Sequence, residues 1–263
     1  MVSLTRLLIV HEEVGQRPLM LGVPPRPDLA DFEGLSSSTF PSWSRADALL
    51  TLLAAVGALS LLQILLFGLH LPSPRSTPLG ATVWTVGASG ILLAAAVAGA
   101  RRFGGSSGVT AIGIRWPTAI DLAIGIPVGI ALFFGTMWLQ DFINDHLSSW
   151  VSWYGTQEGL EPLTHGPWVV AGVVQLVVVP IGEESLFRGI LYGGLRTRYS
   201  IVPAVVISAA LFAFVHVNPV IMPAIFIDGV ALALAFEWRR TLAMPMVIHG
   251  AVLASFLVQG LLR

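Results

Sequence analysis

Seven stretches of the chain are apolar for long enough, or nearly long enough, to cross a lipid bilayer, and that pattern decides the fold class. A spanning helix needs about 20 apolar residues. The stretches are 46–71, 79–100, 118–143, one that starts near Pro167 and reaches towards Arg198, 203–217, 221–237 and 242–262. Two of them, 203–217 and 221–237, are short, and their joint VNPVIMP holds two prolines that confine it to a tight turn. Hydrophobic residues make up 55% of the chain and charged ones 11%, whereas soluble domains carry about a quarter charged. Within a bilayer every backbone polar group needs a partner in its own segment. The expected fold is therefore all-α, a polytopic transmembrane bundle of about seven spans.

Residues 1–45 differ in kind. They are rich in Pro and Ser, hold no spanning run, and begin with a stretch too short and too acidic for a secretory signal. They are expected to form a flexible, disordered cytoplasmic arm ahead of N-terminal membrane helices at 46–164. A net charge of −1 gives no electrostatic case for nucleic acid. The absence of cysteine excludes disulfides, thiolate metal sites and a cysteine nucleophile. All 14 cations are arginine, a compositional hint of a bacterial source and hence of a bacterial cell membrane.

Arginine placement sets the orientation. With seven spans, Arg6, Arg17, Arg26, Arg45, Arg101, Arg102, Arg115, Arg196, Arg198, Arg239 and Arg240 share one side. Only Arg75 and Arg263 fall on the other, where the loop 144–167 carries Asp145, Glu158 and Glu161. The N-terminus is accordingly expected in the cytoplasm. Segment lengths differ and no motif recurs, which weakens a transporter built from inverted repeats.

The run PIGEESLFRG at 180–189 places Glu183, Glu184 and Arg188 inside an apolar helix. A charge at the centre of such a helix costs about 2.5–3.5 kcal/mol on insertion scales. Pro180 removes a backbone donor and is expected to open a local polar pocket. Glu184 and Arg188, four apart, meet on one helix face, while Glu183 is turned away by about 100°. Arg188 then holds Glu184 and leaves Glu183 without a local cation, as a general base requires. The competing interpretation is an ion pair that merely locks two helices, although a second glutamate leaves a charge over.

His216, Asp228 and His249 lie in the following segments. A rise of 1.5 Å per residue puts His216 about 20 Å and Glu183 about 22 Å above the cytoplasmic end, but His249 only about 6–12 Å. Asp228 either joins the site or is a hydrogen-bonded structural acid. His70, His146 and His165 sit at span ends or in the outer loop and carry no assignment.

Taken together, these residues resemble the CPBP (Abi) family of membrane proteases, with its type II CAAX prenyl endopeptidases and bacteriocin-processing members. Glu183-Glu184-x-x-x-Arg188 looks like the first motif of that family, Phe212-x-x-x-His216 like the second, and His249 like the start of the third, His-x-x-x-Asn/Asp. Leu253 stands where the third motif has its amide or acid. The resemblance covers 165–257, a catalytic membrane core followed by a short end at 258–263. It implies an intramembrane endopeptidase acting on a membrane-associated peptide or protein. By carry-over, Glu183 activates water with help from His216, Glu184 and Arg188 organise the site, and His249 stabilises the oxyanion. Asn218 and Ser255 are the neighbouring groups able to stand in for the partner missing at Leu253. No cofactor is expected. Two glutamates and two histidines are a donor set that zinc accepts, but no His-Glu-x-x-His helix is present, so the metal-free mechanism ranks first. The alternatives are a weak or inactive relative that serves as scaffold or in peptide immunity, for which Leu253 speaks, and a proton-coupled transporter using Glu183 and His216.

Overall fold

The computed structural model describes residues 43–68, 77–104, 108–151, 167–216 and 218–262, and those residues are helical with short connections and no strand. The main helices are α1 (Arg45–Gly68), α2 (Pro78–Gly104), α3 (Ala119–Val151), α4 (Pro167–Glu184, continuing without a break to Arg196), α5 (Ile201–Phe214), α6 (Met222–Arg239) and α7 (Ala243–Leu261). Each of the seven apolar stretches is thus a helix. The main packing pairs are α2 with α4, α3 with α7, and α5 with α6. Further contacts of α4 with α7 and of α1 with α2 complete the bundle.

Five of these helices are long and apolar enough to cross a membrane: Arg45–Leu65, Pro78–Gly104, Ala119–His146, Val169–Arg196 and Ala243–Leu261. The other two fall short for different reasons. The apolar helix α5 has 14 residues, about 21 Å at 1.5 Å per residue, against a hydrocarbon core of about 30 Å. The helix α6 carries Asp228, Glu237 and Arg239. The expected count of seven therefore resolves into five full-length helices and a short α5–α6 hairpin.

Two helix starts use the same local device. Ser44 and Thr118 each precede their helix, and an aspartate three residues on accepts their backbone N–H: Asp47 at 2.8 Å and Asp121 at 2.8 Å. The return bonds run from Asp47 N–H to Ser44 Oγ at 3.3 Å and from Asp121 N–H to Thr118 Oγ1 at 3.4 Å. Donors that would otherwise be orphaned are satisfied in pairs. Asp121 also receives Arg239 Nε at 2.9 Å, so α3 is tied to the end of α6. Gly113, at φ 83°, turns the 113–118 linker so that its carbonyl accepts Leu242 N–H at 2.9 Å, which fixes where α7 begins.

The arm expected at 1–45 lies outside the described residues except for its last three, and these are structured. Trp43 is fully buried. Its indole fits over Gly104 of α2 and Gly194 of α4, where a Cβ would approach it to 3.0 and 3.3 Å. Its Nε1–H donates to the Ile190 carbonyl at 3.1 Å. The membrane unit therefore starts by Trp43, because an apolar ring with one donor finds both a slot and an acceptor there. Trp43→Phe, which removes the donor and leaves a buried carbonyl unpaired, is expected to cost about 1–3 kcal/mol, read from denaturation in mixed micelles. The outer loop expected at 144–167 is shorter than that range: α3 runs on to Val151, and 152–166 lie outside the described residues.

Candidate active site

The helix α4 changes its winding where the charges lie. It is α-helical to Glu184 and π-helical over Ser185–Tyr192, then α-helical again over Gly193–Arg196. The Ser185 hydroxyl donates to the Ile181 carbonyl at 2.6 Å, competing for an acceptor that the α-helical ladder would use. The departure from regular winding thus lies after Pro180, the residue expected to open a local polar pocket. π-Turns cluster at functional sites because they displace side chains from the regular helical positions. All eight residues of this one are buried.

Glu184 is fully buried and takes two donors on Oε1: Arg188 Nη1 at 3.0 Å and His249 Nδ1 at 2.9 Å. Arg188 is equally buried, and its Nη2 donates to the Gly229 carbonyl of α6 at 3.3 Å. The guanidinium carbon sits 4.3 Å from the centre of the Phe212 ring, a cation–π contact that a dry environment strengthens. Glu183 faces a different direction. Its side chain keeps 20% exposure, and its Oε2 lies 3.9 Å from His249 Nε2, too far for a hydrogen bond. The i, i+4 pairing and the separate outlook of Glu183 agree with the sequence expectation.

The histidines arrive by different routes. His249 lies between the two glutamates, with one ring nitrogen towards each. Because a carboxylate only accepts, Nδ1 carries the proton of that bond. The sequence expectation put His249 well below Glu183, yet the two side chains come within 3.9 Å of each other. His216 is exposed at the end of α5. Its Nδ1 donates to the Phe212 carbonyl at 2.8 Å, so the neutral ring presents Nε2 as an acceptor. Phe212 connects these groups: its centroid is 5.1 Å from that of His216 and 6.3 Å from that of His249. Glu183, Glu184, Arg188 and His249 thus come together directly, and His216 joins them through Phe212.

Both neighbours make local contacts of their own. The Asn218 side-chain oxygen accepts Val220 N–H at 3.0 Å, at the head of α6. Ser255 Oγ donates to the Ala251 carbonyl of its own helix at 2.8 Å. As for a metal, no group of three His, Asp or Glu side chains among the described residues could hold an ion. The only acceptor oxygen of Glu184 in use already serves Arg188 and His249.

Glycines that sequence reasoning passed over set the geometry. A Cβ on Gly182 would come within 2.6 Å of the Ser89 carbonyl oxygen, so α2 presses directly on the residue before Glu183. A Cβ on Gly250 would stand 3.1 Å from the Leu176 carbonyl, the acceptor that Pro180 deprives of its helical donor. That contact brings α7, and His249 with it, against α4. On the far side, Gly125 and Gly129 of α3 face Val247 and the Ile248 carbonyl. Their Gly-x-x-x-Gly spacing, the usual signature of close helix approach in membranes, was the signal available in the sequence. Glu237 had no such signal. It binds Tyr192 Oη at 2.6 Å and Arg196 Nε at 3.1 Å, tying the lower end of α4 to α6.

Residues 165–254 match the family model for type II CAAX prenyl endopeptidase, Rce1-like. The chain is also similar to the membrane-embedded CAAX protease MroQ of Staphylococcus aureus (strain USA300), at 28% identity over 108 residues. That alignment covers 36% of this chain and 43% of MroQ, so the chain spans less than half of the relative it matches. No solved structure matches.

Proposed function

We propose that residues 165–254, which match the family model for type II CAAX prenyl endopeptidase, Rce1-like, form a membrane-protease core, and that this integral membrane protein hydrolyses a peptide bond of a membrane-associated peptide or protein with water activated by Glu183. The observation that carries the reading is the unequal treatment of adjacent glutamates. Glu184 is buried and held by Arg188 and His249, whereas Glu183 keeps 20% exposure and no hydrogen bond to a cation. An unpaired carboxylate beside a dry ion-pair network is suited to take a proton from water. The hydroxide attacks the carbonyl carbon, the tetrahedral intermediate collapses, and the proton held by Glu183 passes to the leaving amine. His216, with Nε2 free to accept, assists in orienting the water. His249, held by Glu184, stands ready to support the oxyanion.

The test is cleavage of a library of membrane-proximal peptides by the purified protein in detergent. Cleavage lost in Glu183→Ala and in His216→Ala, and indifferent to chelators, supports the reading. Cleavage that survives Glu183→Ala removes it.

A second reading, a scaffold or immunity protein with weak chemistry, is favoured by Leu253, which offers no donor, and by the Ser255 hydroxyl donating within its own helix. Leu253→Asn discriminates. Restoring a donor raises the rate by as much as about 10²–10³ if the site is a working protease short of one oxyanion contact. No gain from an inactive parent favours the scaffold.

A further inference from the structure

Two residues ahead of the matched stretch touch both walls of the site. The short helical turn Gly108–Ala111 leads into Ile112 and Gly113. Ile112 is fully buried. Its Cγ2 would stand 2.5 Å from a Cβ on Gly189, the residue after Arg188 in the π-helical stretch of α4. A β-branched side chain is stiff at χ1, so that methyl does not swing aside. Gly113 gives its carbonyl to Leu242 N–H at 2.9 Å, where α7 begins. It also faces the Arg240 carbonyl and Thr241 Cα, each 3.5 Å from where a Cβ would stand. Elsewhere α7 packs on α3, on α6 and on the α-helical part of α4. Residues 112 and 113 thus bridge the π-helical turns to the start of α7. Both donors on Glu184 Oε1 ride on backbones that this pair touches. Arg188, with Nη1 at 3.0 Å, adjoins Gly189, and His249, with Nδ1 at 2.9 Å, is carried by α7.

We propose that Ile112 and Gly113 are positioning residues of the site, a spacer that sets how far Arg188 stands from His249 across Glu184. The inference rests on the reading in which Glu183 activates water. A shift of the spacer moves Gly189 or Leu242 and disturbs the two hydrogen bonds that converge on Glu184. His249 then leaves its place between the glutamates, and its support for the oxyanion weakens. Ile112 and Gly113 precede residue 165, so the core matched at 165–254 relies on the earlier part of the chain for the geometry of its site.

Size complementarity tests it. Gly189→Ala sets a methyl 2.5 Å from Ile112 Cγ2, so spacer and helix must part. On a peptide that the parent cleaves, kcat per folded molecule should fall about tenfold or more, since a 1 Å misplacement can cost about 10²-fold. KM should change little, because substrate binding is not what the shift removes. Ile112→Ala alone leaves a gap and should also lower kcat. Combined with Gly189→Ala it removes the clash, leaving the Cβ and carbonyl oxygen of residue 112 at 3.5 and 3.4 Å from the new methyl, ordinary contacts. The double variant should therefore be more active per folded molecule than either single one, a non-additivity that only residues in contact produce. A parent-like kcat in Gly189→Ala overturns the proposal, as does a folded double variant no more active than Gly189→Ala. Where Gly189→Ala cannot be purified folded, Ile112→Ala decides: a parent-like kcat per folded molecule overturns the proposal, and a lowered kcat at unchanged KM supports it. Failure of both single variants to fold marks a purely structural contact and overturns it too. Glu183→Gln run in parallel separates the two levels. Cleavage that survives it fails the underlying reading, whereas an inactive Glu183→Gln beside parent-like Gly189→Ala and Ile112→Ala fails only the role of the spacer.

Discussion

Glu183→Gln is expected to lower peptide cleavage by about 10²–10⁴, the usual share of a general base, while leaving the protein folded. The two halves of that expectation come from the same geometry. The Glu183 side chain is partly exposed, and its nearest basic group, His249 Nε2, is 3.9 Å away. Losing its charge therefore breaks no hydrogen bond in the core, and stability should stay within about 0.5 kcal/mol, as for substitutions away from packed features. Glu184→Gln should behave in the opposite way, because Glu184 anchors both Arg188 and His249. It should lose stability as well as rate. Single-turnover cleavage together with melting curves for both variants checks the contrast. A Glu184→Gln protein that folds normally and loses only rate, beside an active Glu183→Gln, would reverse the two roles.

Arg188→Ala carries the largest expected effect on stability, about 3–5 kcal/mol, as when one partner of a buried ion pair is removed. Arg188 and Glu184 are both fully buried, so the surviving carboxylate has no water to turn to. The Gly229 carbonyl loses its donor, and the Phe212 ring loses the cation stacked on it. Replacing both charges by apolar residues, as in Glu184→Met with Arg188→Met, should recover most of the loss without restoring cleavage, since a well-packed apolar pair avoids the desolvation cost. Unfolding in mixed micelles measures both variants. If the double variant is no more stable than Arg188→Ala, packing around Phe212 and Gly229 rather than the stranded charge dominates.

The helical class and the positions of all seven helices were legible in the residue order, because a bilayer leaves the backbone few alternatives. The Glu184–Arg188 pair was legible too, since it lies within one helix and depends on local spacing. The full count of spans was less so. Hydropathy registers Ile201–Phe214 and Met222–Arg239 as apolar, but their end points come from where the chain turns at Asn218 and from what closes α6. The lodging of Trp43 was invisible, because it depends on Gly104, Ile190 and Gly194, far away along the chain.

The site divides along the same line. Residue order determined which side chains are costly in a membrane and which of them are neighbours on one helix: Glu183, Glu184 and Arg188, with His216 and His249 as outlying candidates. Only the tertiary structure decided that His249 lies between the two glutamates and that His216 reaches them through Phe212. The reason is physical. Helical spacing fixes contacts along one segment, whereas contacts between segments depend on how closely backbones approach. Here that approach is set by glycines with little or no room for a Cβ, Gly182 of α4 against α2 and Gly250 of α7 against the carbonyl that Pro180 sets free.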